Sequence, residues 1–252
     1  MIKKDDFNEL KSTILRECKG KKVYYLPNPG NWGDGLIRYG TIKFLEEIRL
    51  EYKELTPNKK DWILPFLRGG VVIYGGGGAW CNNWENNYVK KLSKRFKVIV
   101  LPSTYEFEYN FNNVIFYARD KFQSIENALS AKFTHDMAFY IGSEFYTGNK
   151  GLGIGNFFRE DTESANVIKL PETNIDISHK GNHLTPVSRF FKELDYFETI
   201  YTDRLHVAIA GALLKKEVHL YPGNYFKIEA IYNSSLKPYF SNITFHKTAD
   251  DF

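Results

Sequence analysis

The sequence predicts an α/β protein of two doubly wound parallel lobes. Three observations carry this. Short continuous apolar runs recur along the chain, as in strands buried on both faces: Val23–Leu26, Val71–Tyr74, Val98–Leu101 and Val114–Tyr117. Segments with apolar residues at helical spacing separate them, and this alternation argues for a parallel sheet wrapped by helices. Glycine-rich segments follow several runs, where open α/β sheets bind ligands.

In chain order, Phe7, Leu10, Ile14, Leu15 and Cys18 recur at helical spacing, which predicts a helix over about 6–18 that ends at Gly20. The run Val23–Leu26 is the first strand. Pro27 to Gly35 reads as a loop, and Leu36, Ile37, Phe44, Leu45 and Ile48 mark a second helix. Val71–Tyr74 enters four consecutive glycines, Gly75–Gly78. A helix over about 84–95, the strands near 98 and 114, and a helix from Asp120 to Leu129 complete a first lobe, 1–133. A second lobe, 134–252, opens on a poorly patterned stretch to about 184, in which Gly148–Gly155 reads as a mobile connection. A helix near 185–194, a strand at Glu198–Tyr201, a helix from Asp203 to Leu214, a strand at Val218–Tyr221 and a helix near 225–234 follow.

The chain of 252 residues is 43% hydrophobic and 25% charged, enough for a real core. Its 17 Tyr and 20 Phe suit core packing, and ring faces also stack on sugars. The net charge of +4 suits an anionic substrate or a membrane surface. No Lys/Arg stripe with interleaved aromatics marks a nucleic-acid surface. The two cysteines, Cys18 and Cys81, have neither metal-ligand nor disulfide-framework spacing, which points to a reducing compartment. The first residues lack an apolar signal core, and no run approaches a membrane span. His179 and His183 are four apart, but no third ligand accompanies them, so no metal site is expected.

Three segments invite chemistry. Gly30-Asn31-Trp32-Gly33-Asp34-Gly35 opens a helix, where free amides favour anions, although Leu36-Ile37 replaces the Lys-Ser/Thr of a P-loop. Asp34 reads either as a helix cap or as a functional carboxylate. Gly75–Gly78 suggests close backbone approach to a ligand or another lobe. Thr202-Asp203-Arg204-Leu205-His206 follows a strand and opens a helix. Cations in a first turn oppose the helix dipole, and a bound anion reverses that penalty. Arg204 offers a planar fork for carboxylate or phosphate, and His206 a proton near neutral pH. The plainer reading of this segment is an Arg204–Asp203 pair with a hydrogen-bonded histidine.

These segments, in this order, resemble the polysaccharide pyruvyl transferase family. The resemblance also draws on Ala118-Arg119-Asp120 leading to Ser124, on His135-Asp136-Met137-Ala138-Phe139, and on Lys227. It spans residues about 23–230. Met137 stands where the family usually has proline, and Pro102-Ser103 lacks a glutamine often found there. The resemblance implies two Rossmann-like lobes of the glycosyltransferase-B type in a compact version, with the site in the cleft. It implies phosphoenolpyruvate as donor substrate, no cofactor, and a sugar acceptor of a bacterial surface polysaccharide or its lipid-linked precursor. The product would be a cyclic ketal, with phosphate released. It also implies a cytoplasmic location at the inner membrane face.

On this reading Arg204 and His206 are catalytic at the donor site, with Lys227 adding charge and Asp34 as the candidate base. Asn31, Gly33, Gly76, Gly77 and Leu205 line the substrates. Arg119 reads first as a structural ion pair. A nucleotide-sugar-dependent glycosyltransferase of the same fold, and a non-catalytic sugar-binding relative, stand as alternatives.

Overall fold

The apolar runs become parallel strands, as their burial on both faces requires. The computed structural model describes residues 1–55, 69–81 and 87–248. The chain divides into two compact units. One comprises Lys3–Pro29 and Ile37–Tyr140; the other comprises Met1–Ile2, Gly30–Leu36 and Ile141–Phe252.

The first unit holds strands β1 (Val23–Leu26), β2 (Lys53–Glu54), β3 (Val71–Tyr74), β4 (Gly77–Trp80), β5 (Lys97–Tyr105), β6 (Val114–Ala118) and β7 (Lys132–Phe133). Their order is β2-β1-β3-β5-β6-β7, with β4 also on β5, and the described pairings are parallel. The helix Asn8–Cys18 precedes β1 and buries Leu10, Ile14 and Cys18. The apolar sides of β1, β3 and β5 build a core with Trp80 at its centre. Tyr109 lies 4.7 Å from the Trp80 ring and Phe116 5.6 Å, so many of the aromatics fill the interior.

The second unit holds β8 (Ile154–Phe157), β9 (Thr199–Thr202), β10 (Glu217–Leu220) and β11 (Ile243–Phe245). Their order is β11-β10-β9-β8, again parallel. The helix Val187–Asp195 buries Val187, Phe190, Phe191 and Leu194 along one stripe. The helix Leu205–Leu213 is apolar and buried apart from His206, its Gly211 packed against Val218 of β10. Two Rossmann-like parallel sheets are thus present. No helix among the described residues is long and apolar enough to cross a membrane.

Several elements differ from expectation, each for a local reason. The second helix begins at Trp32 rather than Leu36 and runs to Glu47, because Asn31 and Asp34 cap it. Gly77–Trp80 forms a further strand beyond the first two glycines. A side chain on Gly75 would come within 2.5 Å of the Asn28 nitrogen, and one on Gly76 within 2.3 Å of the Pro102 oxygen. Gly75 and Gly76 therefore answer backbone within their own unit. The predicted mobile connection instead ends in β8: Gly151, at φ +79°, lies against the Phe197 carbonyl, and Gly155 packs under the Phe157 and Phe197 rings. The helix expected from Asp120 shortens to Gln123–Asn127, because Asp120 accepts the Phe122 and Ser124 N–H groups. A π-helical turn, Tyr232–Leu236, follows the helix Lys227–Ile231. Of the helix expected over 84–95, Asn87–Leu92 is helical, and residues 84–86 lie outside the described residues.

Candidate functional site

Three adjacent strands end level with one another. Phe157 of β8 and Leu220 of β10 both pair with Thr202 of β9, so the chain leaves all three at one edge. Thr202 ties two of them together: its hydroxyl donates to the Phe157 carbonyl at 2.7 Å and accepts the Arg204 N–H at 2.9 Å. The Asp203 carboxylate accepts the Arg159 N–H at 2.8 Å. Arg159 thus follows β8, Arg204 follows β9 and Lys227 follows β10, which is where parallel sheets bind ligands.

The three cations are held by carboxylates. The Arg204 guanidinium donates to Asp176 at 2.5 Å and to Asp161 at 2.9 Å. Its partner is therefore not Asp203, the residue that the plainer sequence reading had named. Glu163 bridges the other two cations, accepting from Lys227 at 2.6 Å and pairing closely with Arg159. Arg204 and Arg159 are buried, and the Nε of each is a buried donor without an acceptor.

Burial and charge pull these carboxyls in opposite directions. Burial alone would raise Glu163, but Lys227 and Arg159 outweigh it and hold the group at about 2. Asp176 is likewise held at about 2: burial is overcome by hydrogen bonds from Arg204, Ser178 and the Glu160 N–H. Asp203 goes the other way. Burial pushes it up to about 6 in spite of the Arg159 N–H bond and the nearby Arg159 and Arg204 charges. A carboxyl so placed changes charge near physiological pH.

The Asn31–Asp34 segment belongs to this same unit. Asn31 Oδ1 accepts the Gly33 N–H at 2.8 Å, and Asp34 Oδ2 accepts the Asn31 N–H at 2.9 Å, a reciprocal cap for the helix that starts at Trp32. Trp32 is buried, with its ring 5.3 Å from Phe190 and packed over Gly181. The Gly30 carbonyl accepts the His183 N–H, and Asn31 bridges to Asn182. The Gly33 backbone lies directly on the half-buried His206 ring: a Cβ there would stand 2.6 Å from Nδ1. Of the residues singled out in the sequence, Asn31, Gly33, Asp34 and His206 are thus brought together. Arg204 and Lys227 join one charged network, and Leu205 buries itself at the start of its helix. Gly76 and Gly77 belong to the other unit.

Arg119 is 2% exposed and donates to Asp136 and to the Thr104 hydroxyl, both at 2.8 Å, the structural ion pair expected. His135 lies among Phe7, Phe133 and Phe139, where burial lowers its pKa to about 4. Asp161, Glu163, Asp176 and Arg159 were missed in the sequence. Their only signal was unusual charge density, Arg159-Glu160-Asp161 with Glu163, beside an otherwise irregular stretch.

The model of the polysaccharide pyruvyl transferase family matches residues 31–222, about three quarters of the chain. The chain belongs to the polysaccharide pyruvyl transferase family. Membership makes it a pyruvyltransferase whose acceptor is a polysaccharide. Among solved structures, it is similar to an uncharacterized protein from Klebsiella pneumoniae. That match has 26% identity and a TM-score of 0.77, and covers 98% of this chain and 100% of the other. No curated protein matches the chain. The matched region opens at Asn31 and closes just beyond β10, so it spans the Asn31–Asp34 segment and, at the charged edge of β8–β10, Arg159, Asp161, Glu163, Asp176, Asp203 and Arg204, while Lys227 lies beyond it.

Proposed function

We propose that this pyruvyltransferase takes its pyruvyl group from phosphoenolpyruvate. The acceptor is one sugar of a bacterial surface polysaccharide or of its lipid-linked precursor. The product is a cyclic ketal, and phosphate is released. The observation that carries the reading is the pair of buried guanidinium Nε donors at Arg159 and Arg204, without acceptors, at the edge where His206 also opens its helix. A donor bearing both a carboxylate and a phosphate satisfies such groups.

In this reading Arg204 grips one anionic group of the donor, and Arg159 and Lys227 grip the other. The resting edge carries three cations against Asp161, Glu163, Asp176 and Asp203, so an anion enters only by displacing carboxylates. Asp161 and Glu163, with side chains 42% and 24% exposed, are the ones able to swing away; Asp176, at 1%, stays to hold Arg204. His206 protonates C3 of the enol, and C2 becomes electrophilic. A first sugar hydroxyl adds to C2 and gives its proton to Asp34. A second hydroxyl then displaces phosphate at C2, and its proton leaves with the phosphate, closing the ring. Asn31 and Gly33 hold the Asp34 segment against His206.

The test is a melting-temperature shift with phosphoenolpyruvate against a panel of nucleotide sugars. A ligand at a hundred times its dissociation constant stabilises by about 2.7 kcal/mol. The shift is expected with phosphoenolpyruvate and is expected to shrink in Arg204→Lys, which keeps the charge but loses the fork. His206→Ala is expected to retain the shift and lose roughly 10²–10⁴-fold in turnover. A shift with nucleotide sugars alone would replace this reading with that of a glycosyltransferase.

A further inference from the structure

A cavity lies in the same unit, lined by residues that the proposed donor site does not use. It has a volume of about 650 Å³, within the range of small-molecule sites. Its wall is the outer face of the helix Val187–Asp195. At 100° per residue, Arg189, Lys192, Glu193 and Tyr196 fall on the side opposite the buried stripe Val187, Phe190, Phe191 and Leu194. Lys180 and Trp32 complete it. Lys180 is paired with Glu193 at 2.8 Å. Arg189 and Lys192 are exposed and have no ionic partner among the described residues, which leaves the cavity with an excess of two positive charges. Tyr196 is 66% exposed beside them, with Phe197 next in the chain. Trp32, only 3% exposed, has a buried indole N–H without an acceptor.

An exposed ring and two cations without an ionic partner among the described residues suit a ligand with an apolar face and a negative charge, as a charged sugar has. Trp32 also links this cavity to the reacting groups, because the next residue, Gly33, is the one packed on His206.

We infer that this cavity binds an anionic saccharide, and that it seats a charged sugar of the acceptor chain beside the sugar that receives the pyruvyl group. The inference rests on the pyruvyl-transfer reading for the identity of the chain it seats. The binding itself is measured without any donor. The negative charge comes from a sugar phosphate or from a uronic acid, and both present oxygens to Arg189 and Lys192.

The experiment is calorimetric titration of the whole protein with a hexose 1-phosphate, a hexuronic acid, the neutral hexose and inorganic phosphate. At least one charged sugar is expected to bind about tenfold or more tightly than the neutral hexose and than phosphate alone, a difference that corresponds to one charge-assisted contact. Which of the two binds more tightly names the source of the charge. Arg189→Glu and Lys192→Glu, both at exposed positions where the fold tolerates substitution, are expected to abolish that preference. Tyr196→Ala is expected to weaken both charged and neutral sugars. Equal binding of neutral and charged hexose, binding of phosphate as tight as that of the charged sugar, absence of binding into the millimolar range, or an unchanged Arg189→Glu variant would each overturn the inference. The phosphoenolpyruvate melting shift is expected to survive Arg189→Glu. A missing shift with intact sugar binding therefore refutes the donor reading alone.

Discussion

Asp203 is a carboxyl that the fold keeps at a cost. Burial raises it from 3.8 to about 6, while its Oδ1 accepts the Arg159 N–H. The side chain is 5% exposed, so solvent screens little of this. That rise corresponds to about 3 kcal/mol. The direction follows from linkage. The folded protein binds this proton more tightly than the unfolded chain does. Stability from this group is therefore greatest below the unfolded value of 3.8, declines as pH rises through 6, and the full cost is present above that. Asp203→Asn keeps the acceptor for the Arg159 N–H and cannot ionise. The variant is expected to be more stable than the native protein near pH 7.5 by up to about 3 kcal/mol, or roughly 6–12 °C in melting temperature for a chain of this size. The difference is expected to shrink toward pH 4. Glu163 and Asp176 titrate in both proteins, so their acid losses cancel in the comparison. The assay is thermal unfolding by circular dichroism between about pH 4 and pH 8. An asparagine variant no more stable at pH 7.5, or a gain that does not depend on pH, would refute the reasoning. A destabilising charge kept at the edge of a sheet fits a functional position, since activity and stability often compete.

Other expectations follow from the same geometry. Glu163→Gln removes the carboxylate shared by Arg159 and Lys227, and phosphoenolpyruvate affinity is expected to rise about tenfold by titration, because one charge-assisted competitor is gone. The same variant is expected to lose part of the native protein's acid sensitivity. Glu163 is depressed from 4.5 to about 2, so its contribution is present above 4.5 and is lost as pH falls toward 2. Asp136→Ala strands the buried Arg119 charge and is expected to destabilise by about 3–5 kcal/mol in denaturant unfolding, whereas an exposed pair such as Lys4–Glu47 is expected to contribute under about 1 kcal/mol.

The sequence by itself determined the parallel α/β class, because strands buried on both faces must be apolar throughout, and Val71–Tyr74 or Val98–Leu101 have little other use. It also determined that Arg204 and His206 stand where a strand gives way to a helix, since Leu205, Ile209, Ala212 and Leu213 declare that helix locally. Tertiary structure decided the rest. The Asn31–Asp34 segment joins the C-terminal unit because Trp32 needs Gly181 and Phe190, about 150 residues away, and no local pattern records that pairing. Arg204 meets Asp176 and Asp161, and Glu163 meets Lys227, through an irregular stretch whose positions are set by hydrogen bonds such as Thr202 to Phe157 rather than by periodicity. Gly75 and Gly76 announce a close approach, but only the packed sheet shows that what approaches is the chain's own backbone. Periodicity reports which face of an element is buried. Which charges meet across elements depends on where separate strands end, and that is a property of the assembled sheet.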